Sequence, residues 1–68
     1  MLKNNLSKLM GEKRIKIHEL EKLSSVSRST LTRLYYNQTN TISFNTVEKL
    51  CYALECTTQD LLEYKHNE

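Results

Sequence analysis

Arg28, Ser29, Thr32 and Arg33 stand at positions i, i+1, i+4 and i+5, a spacing that places all four on one side of a helix. Each can bond a polar partner. A guanidinium is a planar fork of donors that matches paired acceptors, such as the edge of a nucleic-acid base. Ser and Thr hydroxyls both donate and accept, so they engage many acceptors with less selectivity. Leu31, Leu34 and Tyr35 interleave with these residues and take the opposite side. The polar set, continued by Tyr36, therefore faces outward. The plainer reading of Arg28 and Arg33 is a solvated face with a surface pair to Glu19 or Glu21. Such a pair contributes about 0–1 kcal/mol and does not account for two arginines on one stripe of a Ser/Thr-rich helix.

No other cluster carries comparable chemistry. Cys51 and Cys56 form a single C-x4-C, with His18 and His66 distant in sequence, and a zinc site needs about four ligands. No metal or cofactor is expected. A helix over 44–54 holds residues five apart beyond easy bridging reach, so reduced cytoplasmic thiols are expected rather than a disulfide. His18 and His66 read as single surface residues. Tyr52 and Tyr64 read as packing or dimer surface. A Gly-rich phosphate loop and a spaced nucleophile–base pair are both missing, and 68 residues leave little room for a cleft. The chain is not expected to be an enzyme.

The elements that must position the polar stripe follow from periodicity and caps. Leu2, Leu6, Leu9 and Met10 fall at i, i+4, i+7 and i+8, which predicts a first helix running to about residue 13. Ile17, Leu20 and Leu23 mark a short second helix over 17–24, with Lys16 where a Ser or Asp would cap better. Residues 24–27 form a polar break around Val26. Ser27 is a natural N-cap for the third helix, 28–36, and Asn37 suits the left-handed residue that closes it. After a polar loop over 38–42, Ser43 caps a fourth helix with Phe44, Val47, Leu50, Cys51 and Leu54 on its stripe. Thr57 and Asp60 form a capping pattern that leads into Leu61 and Leu62 in a fifth helix. The polar tail from Lys65 is expected to fray. With no Pro and one Gly, the composition favours helices throughout, and the fold class expected is all-α, a single domain over 1–68.

Charge is divided along the chain. Up to Arg33 there are eight Lys/Arg against three Glu; beyond it, two Lys stand against five acids. A basic first part with an acidic end suggests one face meant for polyanions, although the formal net charge is only +2. No apolar run approaches a membrane span, and no signal-peptide core is evident.

Across 17–37 the apolar residues Leu20, Leu23, Val26, Leu31 and Leu34 let one short helix brace another at a steep angle, with Val26 plugging the corner. The second helix then projects a convex polar face sized for a groove about 12 Å wide. This unit resembles the helix-turn-helix of the phage lambda repressor and Cro type, the XRE family. The resemblance rests on Ile17-His18-Glu19-Leu20 and on Val26-Ser27-Arg28-Ser29-Thr30-Leu31-Thr32-Arg33-Leu34-Tyr35. It continues through Ile42-Ser43-Phe44-Asn45-Thr46-Val47-Glu48-Lys49-Leu50-Cys51 and Asp60-Leu61-Leu62. It implies a compact five-helix lambda-repressor-like domain that binds double-stranded DNA.

Carried onto matching positions, the resemblance implies base-reading roles for Arg28, Ser29, Thr32 and Arg33. An arginine forked onto O6 and N7 of guanine is worth about 1–3 kcal/mol of discrimination. Ser27, Tyr36, Thr39 and Asn40 resemble phosphate-contact positions, with plain loop solvation as the alternative for the last three. Lys13, Arg14 and Lys16 are placed to meet the flanking backbone. The resemblance also implies a homodimer on a palindromic operator, formed through the fifth helix and the region of Tyr52 and Tyr64, and a repressor of transcription. An antitoxin-like or accessory protein-interaction module of the same fold is the alternative. Three positions depart from the family pattern. Glu21 replaces a small Ala, Ser25 replaces the turn Gly, and Tyr36-Asn37 replaces a closing Asn-Gly. Glu21 must tilt outward or pair with a group such as Arg28, and Ser25 is expected at positive φ, at a cost of order 1 kcal/mol.

Overall fold

The computed structural model describes residues 2–64 and His66. In chain order it contains β1 (Leu2–Asn4), α1 (Leu6–Lys13), α2 (Ile17–Ser24), α3 (Arg28–Tyr35), α4 (Phe44–Leu54), α5 (Thr58–Leu61) and β2 (Leu62–Tyr64). The five helices expected from the sequence are present, and the remaining elements pair as a two-stranded antiparallel ribbon, Leu2 opposite Tyr64 and Asn4 opposite Leu62.

The helices enclose one apolar core. Leu6, Leu20, Leu31, Leu50, Leu54 and Leu61 are its fully buried members, and Leu9, Met10, Val26, Leu34 and Val47 complete it. Their spacing fixes which face of each helix turns inward, and burial of each such side chain stabilises by about 1.5–3 kcal/mol.

Helix boundaries are set by local hydrogen bonds. The Ser27 hydroxyl accepts the Thr30 N–H at 3.3 Å, and Ser43 accepts the Thr46 N–H at 3.1 Å. Thr57 and Asp60 satisfy each other's backbone N–H groups at 3.2 and 3.1 Å, a reciprocal cap on the one-turn α5. The Lys16 side chain has no acceptor to offer α2, but the Glu19 carboxylate reaches back to the Lys16 N–H at 2.9 Å, so half of the box still forms. Arg14, Ser25, Asn37 and Glu55 close helices or turns at φ of 55, 62, 55 and 52°. Asn37 takes the left-handed conformation expected of it, with the Gln38 N–H reaching the Arg33 carbonyl at 2.7 Å.

Four expectations need correction. Leu2 does not begin α1. The Asn4 side chain accepts the Leu6 N–H at 3.1 Å, and the Asn5 N–H donates to the Leu61 carbonyl at 2.7 Å, so the backbone before Leu6 is drawn into long-range pairing. Asn side chains compete in this way with helical bonding. Leu62 likewise leaves the fifth helix for β2. Leu23 is 58% exposed, because the inward line of α2 runs through Ile17, Leu20 and Ser24. Phe44 is 88% exposed at the first position of α4, one turn before the buried Val47. Of the polar tail from Lys65, only His66 lies within the described residues; its ring meets Tyr64 edge-on at 5.2 Å.

Cys51 and Cys56 are free and half-buried against the core. The left-handed turn at Glu55 folds the chain back so that the Cys56 N–H donates to the Cys51 carbonyl at 3.0 Å. Burial, with Cys51 alongside, pushes the Cys56 thiol up to about 11, which keeps it protonated and inert at neutral pH. No helix among the described residues is long and apolar enough to cross a membrane.

Candidate nucleic-acid interface

The turn between α2 and α3 decides how α3 is presented. Ser24 is buried, a role its polarity hides in the sequence. Its hydroxyl donates to the Leu20 carbonyl at 2.7 Å and accepts the Val26 N–H at 3.2 Å. A small side chain satisfied within its own turn lets the chain reverse closely while Val26 enters the core. Ser25 supplies the positive φ, 62°, that glycine would adopt without strain. With Leu31 and Leu34 buried beneath it, α3 is anchored to the core as a ridge.

Along that ridge Arg28, Ser29, Arg33 and Tyr36 are exposed. Thr32 is half-buried, and its hydroxyl donates to the Arg28 carbonyl at 2.9 Å, leaving its methyl and the oxygen's acceptor lone pairs for a partner. Ser27 is exposed while capping the helix, and its own proton goes to the Thr30 hydroxyl at 2.9 Å. Arg33 and Thr39 line a common groove with Thr30, Thr41 and Ser43, a run of hydroxyls beside a cation. Thr39 is partly committed, since its hydroxyl donates to the Thr41 carbonyl at 3.2 Å. Asn40 lies farther round, in a groove shared with Lys3, Asn4 and Asn37. Arg14 and Lys16 meet Tyr36 along the opposite flank. Lys13 is not in that groove; it lies within electrostatic reach of Cys56.

Two residues join this surface without having been picked out for it. Lys3 reaches the Asn37–Asn40 groove because β1 pairs with β2, and nothing local in the sequence signals that. Glu21 is the second, and its departure from the family pattern was the signal. Its Oε1 lies 3.2 Å from the Arg28 guanidinium, and its Oε2 accepts the Arg28 backbone N–H at 3.2 Å. Among the described residues this is the one salt bridge, with the Arg28 and Glu21 side chains 63% and 37% exposed. Of the two arginines on the stripe, one is therefore paired as the plainer reading allowed, and Arg33 carries no such pair among the described residues.

A protein of Bacillus subtilis (strain 168), named as an uncharacterized HTH-type transcriptional regulator, YozG, is 28% identical over 64 residues, covering 94% of this chain and 76% of that relative. The model of the Cro/C1-type HTH DNA-binding domain matches residues 5–67, nearly the whole chain, and the chain belongs to that family of DNA-binding domains.

Proposed function

We propose that this chain is a sequence-specific transcriptional repressor that places α3 in the major groove of duplex DNA as a homodimer on a palindromic operator. The observation that carries this reading is the exposed stripe of Arg28, Ser29 and Arg33 on a helix braced from behind by α2. Arg33 and Arg28 read guanine edges, Ser29 bonds base acceptors, and Thr32 offers its methyl to thymine. Ser27, Tyr36, Thr39, Asn40, Arg14 and Lys16 hold the sugar-phosphate backbone on the two flanks, with Lys13 adding charge from farther off. A second copy sets two recognition helices about 34 Å apart, the spacing of successive major-groove faces. Leu23 and Tyr52, 58% and 85% exposed, share one surface with Cys51 and Ala53, and this surface supports pairing of two copies. A regulator of this kind acts on DNA in the cytoplasm.

The test is fluorescence anisotropy on a duplex selected from a randomised library and on a scrambled duplex, each at two salt concentrations. The selected duplex should bind more tightly, and affinity should fall steeply with salt as Lys and Arg displace counterions. Light scattering on the complex should give two chains per selected duplex, and a reporter placed behind that duplex should be silenced. If Arg28→Ala and Arg33→Ala both bind every duplex as the parent does, the base-reading assignment is wrong. The exposed Phe44 and Tyr52 favour one second reading, a protein-interaction module of the same fold. A chain that ignores DNA at every salt concentration would support it.

A further inference from the structure

The first N–H groups of a helix have no partner within it and, with the helix dipole, make its N-terminus a place for an anion. At α3 the Arg28 guanidinium adds a full positive charge beside that position. A DNA phosphate is the anion such a corner attracts, whatever the sequence. Here the place is taken. One carboxylate, Glu21, accepts the Arg28 N–H through Oε2 and meets the guanidinium through Oε1, both at 3.2 Å. The corner is filled by an internal anion before DNA arrives.

We propose that Glu21 is a specificity-determining residue of this interface, holding Arg28 in competition with DNA and so suppressing binding that offers Arg28 only a phosphate. The proposal rests on the DNA-reading role of α3. The guanidinium touches Glu21 through one nitrogen and one oxygen, which leaves most of its donors free. A phosphate must displace a like-charged group that already serves the backbone. A guanine edge is uncharged and offers two acceptors in the plane of the fork, so it engages the free donors with less penalty. A carboxylate near the DNA surface also repels every phosphate equally, and that share of the effect is sequence-independent and weakened by salt.

Glu21→Gln is the informative change, because its amide oxygen can still accept the Arg28 N–H while the charge is lost. On the scrambled duplex it should tighten binding about fivefold, the equivalent of one modest ion pair. Its salt slope should steepen by about one, for the phosphate contact that Arg28 gains. On the library-selected duplex the gain should stay below about twofold, so the ratio of the two affinities falls. In an Arg28→Ala background the same substitution should leave that ratio unchanged. Circular dichroism melts of each variant confirm that the comparison is between folded proteins. Equal gains on both duplexes, or a fall in the ratio that persists without Arg28, would overturn the proposal. If the parent protein itself shows no salt-dependent binding to either duplex, the DNA reading of α3 fails and takes this proposal with it. If the parent discriminates and Glu21→Gln keeps the ratio, only the role of Glu21 fails.

Discussion

The two arginines of α3 sit on one stripe of one helix, yet the fold treats them differently. Arg28, at the N-terminus, is met by Glu21 from α2 at 3.2 Å. Arg33, near the C-terminus, faces a groove of threonines and serine and has no carboxylate partner among the described residues. Residue type and helical spacing make the two look equivalent, and the element packed alongside separates them. An arginine with a resident anion must give it up to take a phosphate and offers a base only its remaining donors, whereas one facing neutral hydroxyls exchanges only water.

The change that would break this comparison outright is loss of the platform beneath it. Leu31 is fully buried and lies one turn from Arg28 on the inner side of α3. Leu31→Ala should destabilise the domain by about 2–5 kcal/mol, read as a lower midpoint in urea unfolding. Both arginines would then lose their positions together, and discrimination between duplexes should vanish with the fold.

The direct test of inequality comes next. Arg33→Ala should weaken binding to the selected duplex by about 1–3 kcal/mol, the range of one good base contact. Arg28→Ala should cost less, because Glu21 already holds part of the Arg28 fork and fewer of its donors are available to the base. Equal losses in anisotropy titrations would mean that Glu21 does not distinguish the two sites.

Smaller effects sharpen how the brace itself is made. Ser25 holds φ of 62° without being glycine. Ser25→Gly should stabilise the protein by up to about 1 kcal/mol by relieving that conformation, measured as a higher melting temperature, while leaving DNA discrimination unchanged. The smallest effect lies far from α3. The Cys56 thiol is pushed from its ordinary 9.0 to about 11 by burial and by Cys51. A raised value means the neutral form is favoured in the folded state. Its contribution is full below pH 9 and declines as pH rises toward 11. Urea midpoints of the parent and Cys56→Ala should therefore run parallel below that window and converge within it, with DNA binding at neutral pH unaffected.

The contrast between the arginines also marks where the sequence could be read. The apolar spacing of Leu20, Leu31 and Leu34 depends only on helical period, Val26 stands out as the one apolar residue of a polar turn, and all four are buried. Ser27, Ser43 and Thr57 announce their helices because a cap needs only a hydroxyl and an N–H three residues on. Ser24 and Leu23 defeated the same reasoning. In α2 the inward line passes through a serine whose polarity is satisfied inside the turn, and the leucine beside it is left in solvent. A polarity pattern cannot register a hydrogen bond that a side chain makes to its own backbone.

What this sequence determines by itself is local: five helices, the caps of the last three, the left-handed Asn37, and a polar stripe of Arg28, Ser29, Thr32 and Arg33 opposite an apolar one. These follow from interactions between residues a few positions apart, where period and hydrogen-bonding geometry suffice. The tertiary structure alone decided the rest. Leu2 satisfies helical spacing with Leu6, but Tyr64, its strand partner, comes from the other end of the chain. Glu21 was free to pair or to tilt away until α2 and α3 were packed, and their crossing brought its carboxylate to Arg28. Strand pairing and charge pairing between elements depend on which surfaces meet, and only the packing of the shared core settles that.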